Sequence, residues 1–158
     1  MNNKFTPTAL DRQILEELQA NCRLGNQDIA ERIGSSASSI WRRVRAMEEA
    51  GVINGFHLSV AADMLGWTET MLLHVSLHTH SEQNTQAFTE LINETPEVLE
   101  CYAVTGEFDY QLKVLAKDMR AYYRFLEEKL MSRDFISRTS STVIMKKIKE
   151  TGKIPTAT

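Results

Sequence analysis

Between Ser35 and Gly51 the chain reads SSASSIWRRVRAMEEAG, and no other stretch limits its fold as tightly. Successive residues of an α-helix are turned by about 100°, which gathers Ala37, Ile40, Val44 and Met47 on one side. The opposite side carries Ser38, Arg42, Arg45 and Glu49, with Trp41 and Arg43 on the two flanks. Such a stripe docks the helix on a small core and holds the far face in water. Hydroxyls there suit phosphate oxygens and base edges, and guanidinium forks suit guanine and phosphate. The stretch reads as the recognition helix of a helix-turn-helix. An ordinary surface helix with an Arg-rich face would share the pattern, and the neighbouring segments decide between the two.

Upstream, Thr6-Pro7-Thr8 is a helix-start signal. Leu10, Ile14, Leu15 and Leu18 then form a helical stripe that ends near Asn21. A short helix over Asn26–Ile33 follows, with Asn26 as its expected cap and Ile29, Ala30 and Ile33 inward. Gly34-Ser35 makes the turn, and Ser36 caps the basic helix. Helix, short helix, glycine turn and basic helix is the helix-turn-helix pattern. Gly51 stops the third helix as a C′ residue. Beyond it, Val52-Ile53 and Phe56–Val60 flank Asn54-Gly55, a two-residue hairpin signal, and a hairpin at this place would be a wing. Ala61–Gly66 reads as a short helical turn.

From Met71 the period changes from 3.6 to two. Met71, Leu73, Val75 and Leu77 alternate with Leu72, His74, Ser76, His78 and His80, which predicts a strand over 71–80 with one apolar face. A helix over 81–95 places Ala87, Phe88, Leu91 and Ile92 inward and ends at Thr95-Pro96. Strands are expected over 98–105 and 110–116, joined tightly through Gly106–Asp109. A helix over 118–133 should bury Met119, Tyr122, Tyr123, Leu126 and Leu130. A last strand covers about 136–148, and the tail 151–158 reads as loose. This β-α-β-β-α-β order is the ferredoxin-like arrangement. Its helices cover one sheet face and leave the other for a partner, most simply a second copy. The fold class is therefore α+β: a winged helix-turn-helix over 1–60, a linker over 61–67 and a ferredoxin-like domain over 68–158.

Charge sharpens the nucleic-acid reading. The 158 residues carry a net charge of −3, so the whole chain does not advertise a polyanionic partner. Residues 1–60 hold seven Lys/Arg against seven Asp/Glu, and the remainder eleven against fourteen. DNA affinity must then rest on the local cluster of Arg42, Arg43 and Arg45. Residues 1–11 lack the apolar core of a signal peptide, and no run approaches the roughly 18 apolar residues of a membrane span. A cytoplasmic protein is expected. Cys22 and Cys101 make no disulfide framework. His74 and His78 would lie about 13 Å apart along a strand, too far for one ion, so at most His78 and His80 would share one. A polar sheet face at a dimer interface is the favoured reading, and neither a metal nor another cofactor is expected. Nucleophile elbow, zincin, P-loop and dinucleotide fingerprints are absent.

These pieces, in this order and spacing, resemble the Lrp/AsnC (leucine-responsive/asparagine-responsive) regulators of bacteria and archaea. The matching residues are Leu10-Asp11-Arg12-Gln13-Ile14-Leu15, Arg43-Val44-Arg45-Ala46-Met47-Glu48 through Gly51–Gly55, Thr105-Gly106-Glu107-Phe108-Asp109-Tyr110, and Ile148-Lys149 with Ile154-Pro155. The Ser-Pro-Thr-Pro start usual in the family is Ser36-Ala37-Ser38-Ser39 here, which puts the operator sequence, not the docking mode, in question. The resemblance implies a transcription regulator of amino-acid metabolism that binds double-stranded DNA and responds to a free amino acid. It also implies a homodimer through the C-terminal sheets, assembling to an octamer. The DNA-binding residues expected are Ser36, Ser38, Ser39, Arg42, Arg43 and Arg45. The effector-binding residues expected are Tyr102, Val104, Thr105, Gly106 and Asp109. Gly106 would let backbone N–H groups approach a carboxylate, Asp109 would pair an α-ammonium, and Tyr102 and Val104 would shape the side-chain pocket. Gly106–Asp109 also suits a plain hairpin turn. Two alternatives stand beside this reading: a sirohaem-decarboxylase-like enzyme subunit, and an architectural DNA-binding oligomer without an effector.

Overall fold

The computed structural model describes residues 5–156, which divide into two compact units: residues up to Ser59 together with those from Lys149 onward, and Val60–Ile148.

The first unit is built on three helices, α1 (Ala9–Ala20), α2 (Asn26–Ile33) and α3 (Ala37–Glu49). Thr8 caps α1, and Asp11 closes the capping box, which satisfies N–H groups that the helix itself leaves unpaired. The cap of α2 is Gly25 rather than Asn26; its N–H donates to the Asp28 carboxylate at 2.9 Å. Gly34 ends α2 at φ +70°, a left-handed conformation open to glycine without a Cβ penalty. Ile14, Ile29, Ala30, Ile40 and Met47 form the buried core, one or two residues from each helix.

The hairpin expected around Asn54-Gly55 does not form, and residues 52–60 contain no strand. A type I′ turn needs positive φ at both central residues. Here Asn54 keeps a negative φ, and Gly55 sits at +153°. The run continues without a strand, and residues 54–60, Phe56, Leu58 and Val60 among them, are all exposed.

The tail expected to be loose is held against α1. Gln19 donates to the Ile154 carbonyl at 3.1 Å and accepts from the Ile154 N–H at 2.6 Å, pairing one residue's backbone on both sides. Arg12 Nη1 donates to the Thr156 carbonyl at 2.8 Å, and the Thr156 hydroxyl donates to Glu16 at 2.6 Å. Each neutral hydrogen bond contributes about 1 kcal/mol net. Gln19→Ala is therefore expected to lower the stability of this unit by about 1–2 kcal/mol in thermal denaturation, with the transition of the second unit unmoved.

The second unit is a four-stranded antiparallel sheet in the order β2-β3-β1-β4, from β1 (Glu69–Leu77), β2 (Val98–Ala103), β3 (Tyr110–Ala116) and β4 (Ile136–Val143). Helices α4 (Glu82–Asn93) and α5 (Met119–Phe125, continued by a π-helical turn over Leu126–Met131) join the strands. Met71, Leu73, Val75 and Leu77 of β1 meet Leu112, Val114 and Ala116 of β3 in one core with Phe88, Ile92, Tyr122, Phe125 and Leu130. Burying each large side chain stabilises the fold by roughly 1.5–3 kcal/mol. Tyr122, Phe125 and Leu130 turn inward, the π turn bringing Leu130 round to the side of Phe125 five residues earlier, while Met119 and Tyr123 stand exposed. β1 stops at Leu77 and β4 at Val143, both short of the expected ends.

Candidate functional site

Two sites follow from these elements, one in each unit. On α3, Ser36 accepts a hydrogen bond from the Ser39 N–H at 3.3 Å, so its hydroxyl oxygen caps the helix while its O–H can still donate. Ser38 faces outward, 3.3 Å from the Ser36 oxygen. Arg42 and Arg45 are exposed. Arg42 makes no ion pair among the described residues, and Arg45 has only a 3.9 Å approach to Glu48. Both guanidinium groups are available to an external anion.

Arg43 points the other way. Its Nη1 lies 2.9 Å from Asp11 Oδ1 and 3.1 Å from the Thr8 hydroxyl. Asp11 is 2% exposed and Arg43 31%. Asp11 Oδ2 accepts from both the backbone N–H and the hydroxyl of Thr8, at 2.8 and 2.7 Å. Burial pushes the Asp11 carboxyl up, but the two Thr8 hydrogen bonds and the Arg43 guanidinium outweigh it, and its pKa lies below the ordinary value. The cation expected at DNA is thus the joint between α3 and α1. Neither Thr8 nor Asp11 is among the expected site residues, although Thr8-x-x-Asp11 has capping-box spacing; nothing local announces their link to Arg43, 32 residues away from Asp11.

The second site lies at the β2–β3 connection. Gly106 adopts φ +129°, with no atom within 4 Å of where a Cβ would stand. Asp109 is anchored on three sides. Its N–H donates to the Val75 carbonyl, its carbonyl accepts from the Val104 N–H, and its Oδ2 accepts from the Leu77 N–H at 2.8 Å. Asp109 Oδ1 lies 3.2 Å from His80 Nε2, a side chain 68% exposed. His80 therefore belongs to this loop, not to a strand face shared with His78. Tyr102, Val104 and Thr105 are exposed beside it, and the Tyr102 hydroxyl donates to Glu100 at 2.9 Å. The Lys113 ammonium, 2.9 Å from Glu100, and the Tyr102 hydroxyl hold the Glu100 carboxyl below the usual range. Arg138 pairs Glu107 at 2.7 Å and stacks 4.8 Å over the Phe108 ring, whose other neighbour is His74 at 5.1 Å. These contacts order the loop on the sheet face opposite the helices.

Among the described residues no His, Cys, Asp and Glu groups come together as a metal site, and no helix is long and apolar enough to cross a membrane. Cys22 and Cys101 are unpaired, and burial pushes the Cys101 thiol up, away from the reactive thiolate.

Two family models match the chain: winged helix-turn-helix DNA-binding over residues 8–54, and the Lrp/AsnC ligand binding domain over residues 70–154. The chain belongs to the Lrp/AsnC family of transcriptional regulators. This Lrp/AsnC regulator is 37% identical to the proline dehydrogenase transcriptional activator of Rhodobacter capsulatus, over 90% of this chain and 92% of that one. It is 35% identical to the transcriptional regulator AzlB of Bacillus subtilis, over 92% of each. Its fold superposes on a transcriptional regulator of Neisseria meningitidis solved as a complex with L-Met, with a TM-score of 0.90, 31% identity and coverage of 95% and 97%. These relatives are regulators, not enzymes, and the decarboxylase-like alternative falls away.

Proposed function

We propose that this Lrp/AsnC regulator reads an operator through Ser38, Arg42 and Arg45 of α3, and that a free amino acid at the Gly106–Asp109 loop sets its DNA affinity. The observation that carries the first half is the opposite orientation of neighbouring arginines. Arg42 is unengaged and Arg45 meets only Glu48, at 3.9 Å, on the exposed face, while Arg43 ties the helix to α1 and so acts as a positioning residue. Ser36 and Ser39 form the cap, whose backbone and hydroxyl suit a phosphate at the helix start.

The amino-acid effector is supported by the ligand-binding family model and by the L-Met complex of the Neisseria relative. The loop chemistry agrees. A glycine without neighbours lets a carboxylate reach backbone donors, and an α-ammonium can displace the exposed His80 imidazole from Asp109 Oδ1. An effector of this kind must prefer one arrangement of the protein over another, since equal affinity for both shifts nothing. The protein acts as a homodimer, built on toward an octamer, in the cytoplasm where its DNA lies. The polar sheet face opposite the helices and the exposed run through Phe56, Leu58 and Val60 are the surfaces a second copy would cover.

Calorimetry against the twenty amino acids tests the effector site. Selective binding of one of them is expected, lost in Asp109→Ala together with its effect on DNA affinity, about 1–3 kcal/mol of coupling. DNA binding without effector should survive that substitution. Equal affinity in wild type and variant would place the pocket elsewhere.

A further inference from the structure

Trp41 is 57% exposed on α3, and no hydrogen bond or ring contact among the described residues holds its indole. An aromatic group of this size usually finds cover, because it is the largest apolar surface a side chain can present. At about 100° per residue, Trp41 lies about 60° to one side of Ser38 and Arg42 about 40° to the other. The indole therefore shares the outward face with the two groups assigned to DNA, whereas Arg43, about 140° round, reaches Asp11.

We infer that Trp41 is a specificity-determining residue that reads thymine through its 5-methyl group; the inference rests on α3 being the DNA-reading helix. In the major groove each base pair shows donors and acceptors, and the one apolar group among them is the thymine methyl. An indole offers a single N–H donor and a broad apolar face. Set against phosphates, that face would strip their water without replacing it. Set against a methyl, it removes two apolar surfaces from water together. The methyl projects from C5 of the pyrimidine, on the side of the groove nearest that strand's own backbone. A residue at the flank of a groove-bound helix, rather than its centre, comes to that place.

The test uses the full chain and a duplex selected by it from random sequence. Each thymine of the selected site is replaced by uracil in turn, which deletes the methyl and keeps every hydrogen-bonding group. At one position in a half-site the wild type should lose about fourfold in affinity, the equivalent of about 0.8 kcal/mol per buried carbon. Trp41→Ala should bind the thymine and uracil sites equally, and Trp41→Phe should keep part of the preference. A wild type indifferent to every replacement, or a Trp41→Ala protein that keeps the full preference, overturns the inference and leaves the DNA-reading helix intact. Failure of the wild type to select any sequence would overturn both. The uracil series is run on the unaltered protein, so its outcome stands whether or not the Trp41 variants fold.

Discussion

Replacing Arg43 by alanine should unfold the three-helix unit at temperatures where Arg42→Ala leaves it folded. The two residues are adjacent and chemically identical; their surroundings differ. Removing Arg43 leaves the Asp11 carboxylate, 2% exposed in the intact protein, supported by Thr8 alone. Breaking a buried pair from one side costs about 3–5 kcal/mol, because the charge left behind is still desolvated. The exposed part of Arg43 puts this pair at the lower end, about 3 kcal/mol. Arg42 has no partner to strand, and its loss should fall within about 0.5 kcal/mol. Circular dichroism melts of both variants decide the matter, and equal melting temperatures would refute it.

The same pair gives a pH signature. The carboxyl of Asp11 is held below its ordinary value in the folded protein. Its stabilising contribution is therefore complete above the unfolded-state pKa, about 3.9, and is lost as pH falls through the lower folded value. Asp11→Asn should lack this acid-side loss while being less stable than wild type near neutrality. In Arg43→Ala the burial that raises the carboxyl is opposed by Thr8 alone, so the folded value lies closer to the unfolded one and the acid-side loss should be smaller than in wild type.

Arg42→Ala should instead act on DNA. A bidentate contact to a base is worth about 1–3 kcal/mol of discrimination, so affinity for the selected operator should fall roughly fivefold to 150-fold. Affinity for unrelated duplex should change much less, and the salt dependence should be preserved. Arg45→Ala, if that side chain holds a phosphate, should weaken all sequences alike and reduce the slope of log K against log salt by about one. Mobility shifts of both variants over a salt series separate the roles. Unchanged binding in both variants would remove α3 from the interface.

Most of the architecture is readable because it depends on short periods. The alternation from Met71 to Leu77 and the stripe Ile40-Val44-Met47 each name an inward face within a few residues, and the structure buries those residues, with Val44 half-buried against them. The caps at Thr8 and Ser36 are equally local. What could not be read depends on partners distant in sequence or on a choice between backbone states. Asn54-Gly55 suits a hairpin, but the composition does not say whether φ will be positive at both positions. Tyr122 and Tyr123 are neighbours that each fit an apolar stripe, yet only Tyr122 turns inward, and Met119 stands exposed with Tyr123; no periodicity marks which of the two is buried. Arg43 stands on the flank of the helix wheel, yet its fate is set by Asp11. Asp109 is legible as a carboxylate near a glycine; its clasp by the Leu77 N–H and His80 comes from chain some 30 residues earlier.

The clasp of residues 149–156 on α1 also bears on how the protein is made. The three helices leave the ribosome first, but the segment that pairs with Gln19, Arg12 and Glu16 follows only after the 89 residues from Val60 to Ile148. At about 5–20 residues per second that is a delay of roughly 4–18 s. During this interval the nascent three-helix unit exists without its strap, with the outer edge of α1 open to chaperones and to neighbouring chains on the same messenger. A premature stop codon just before Lys149 would spare every helix and strand of both units and still leave the first one unfinished.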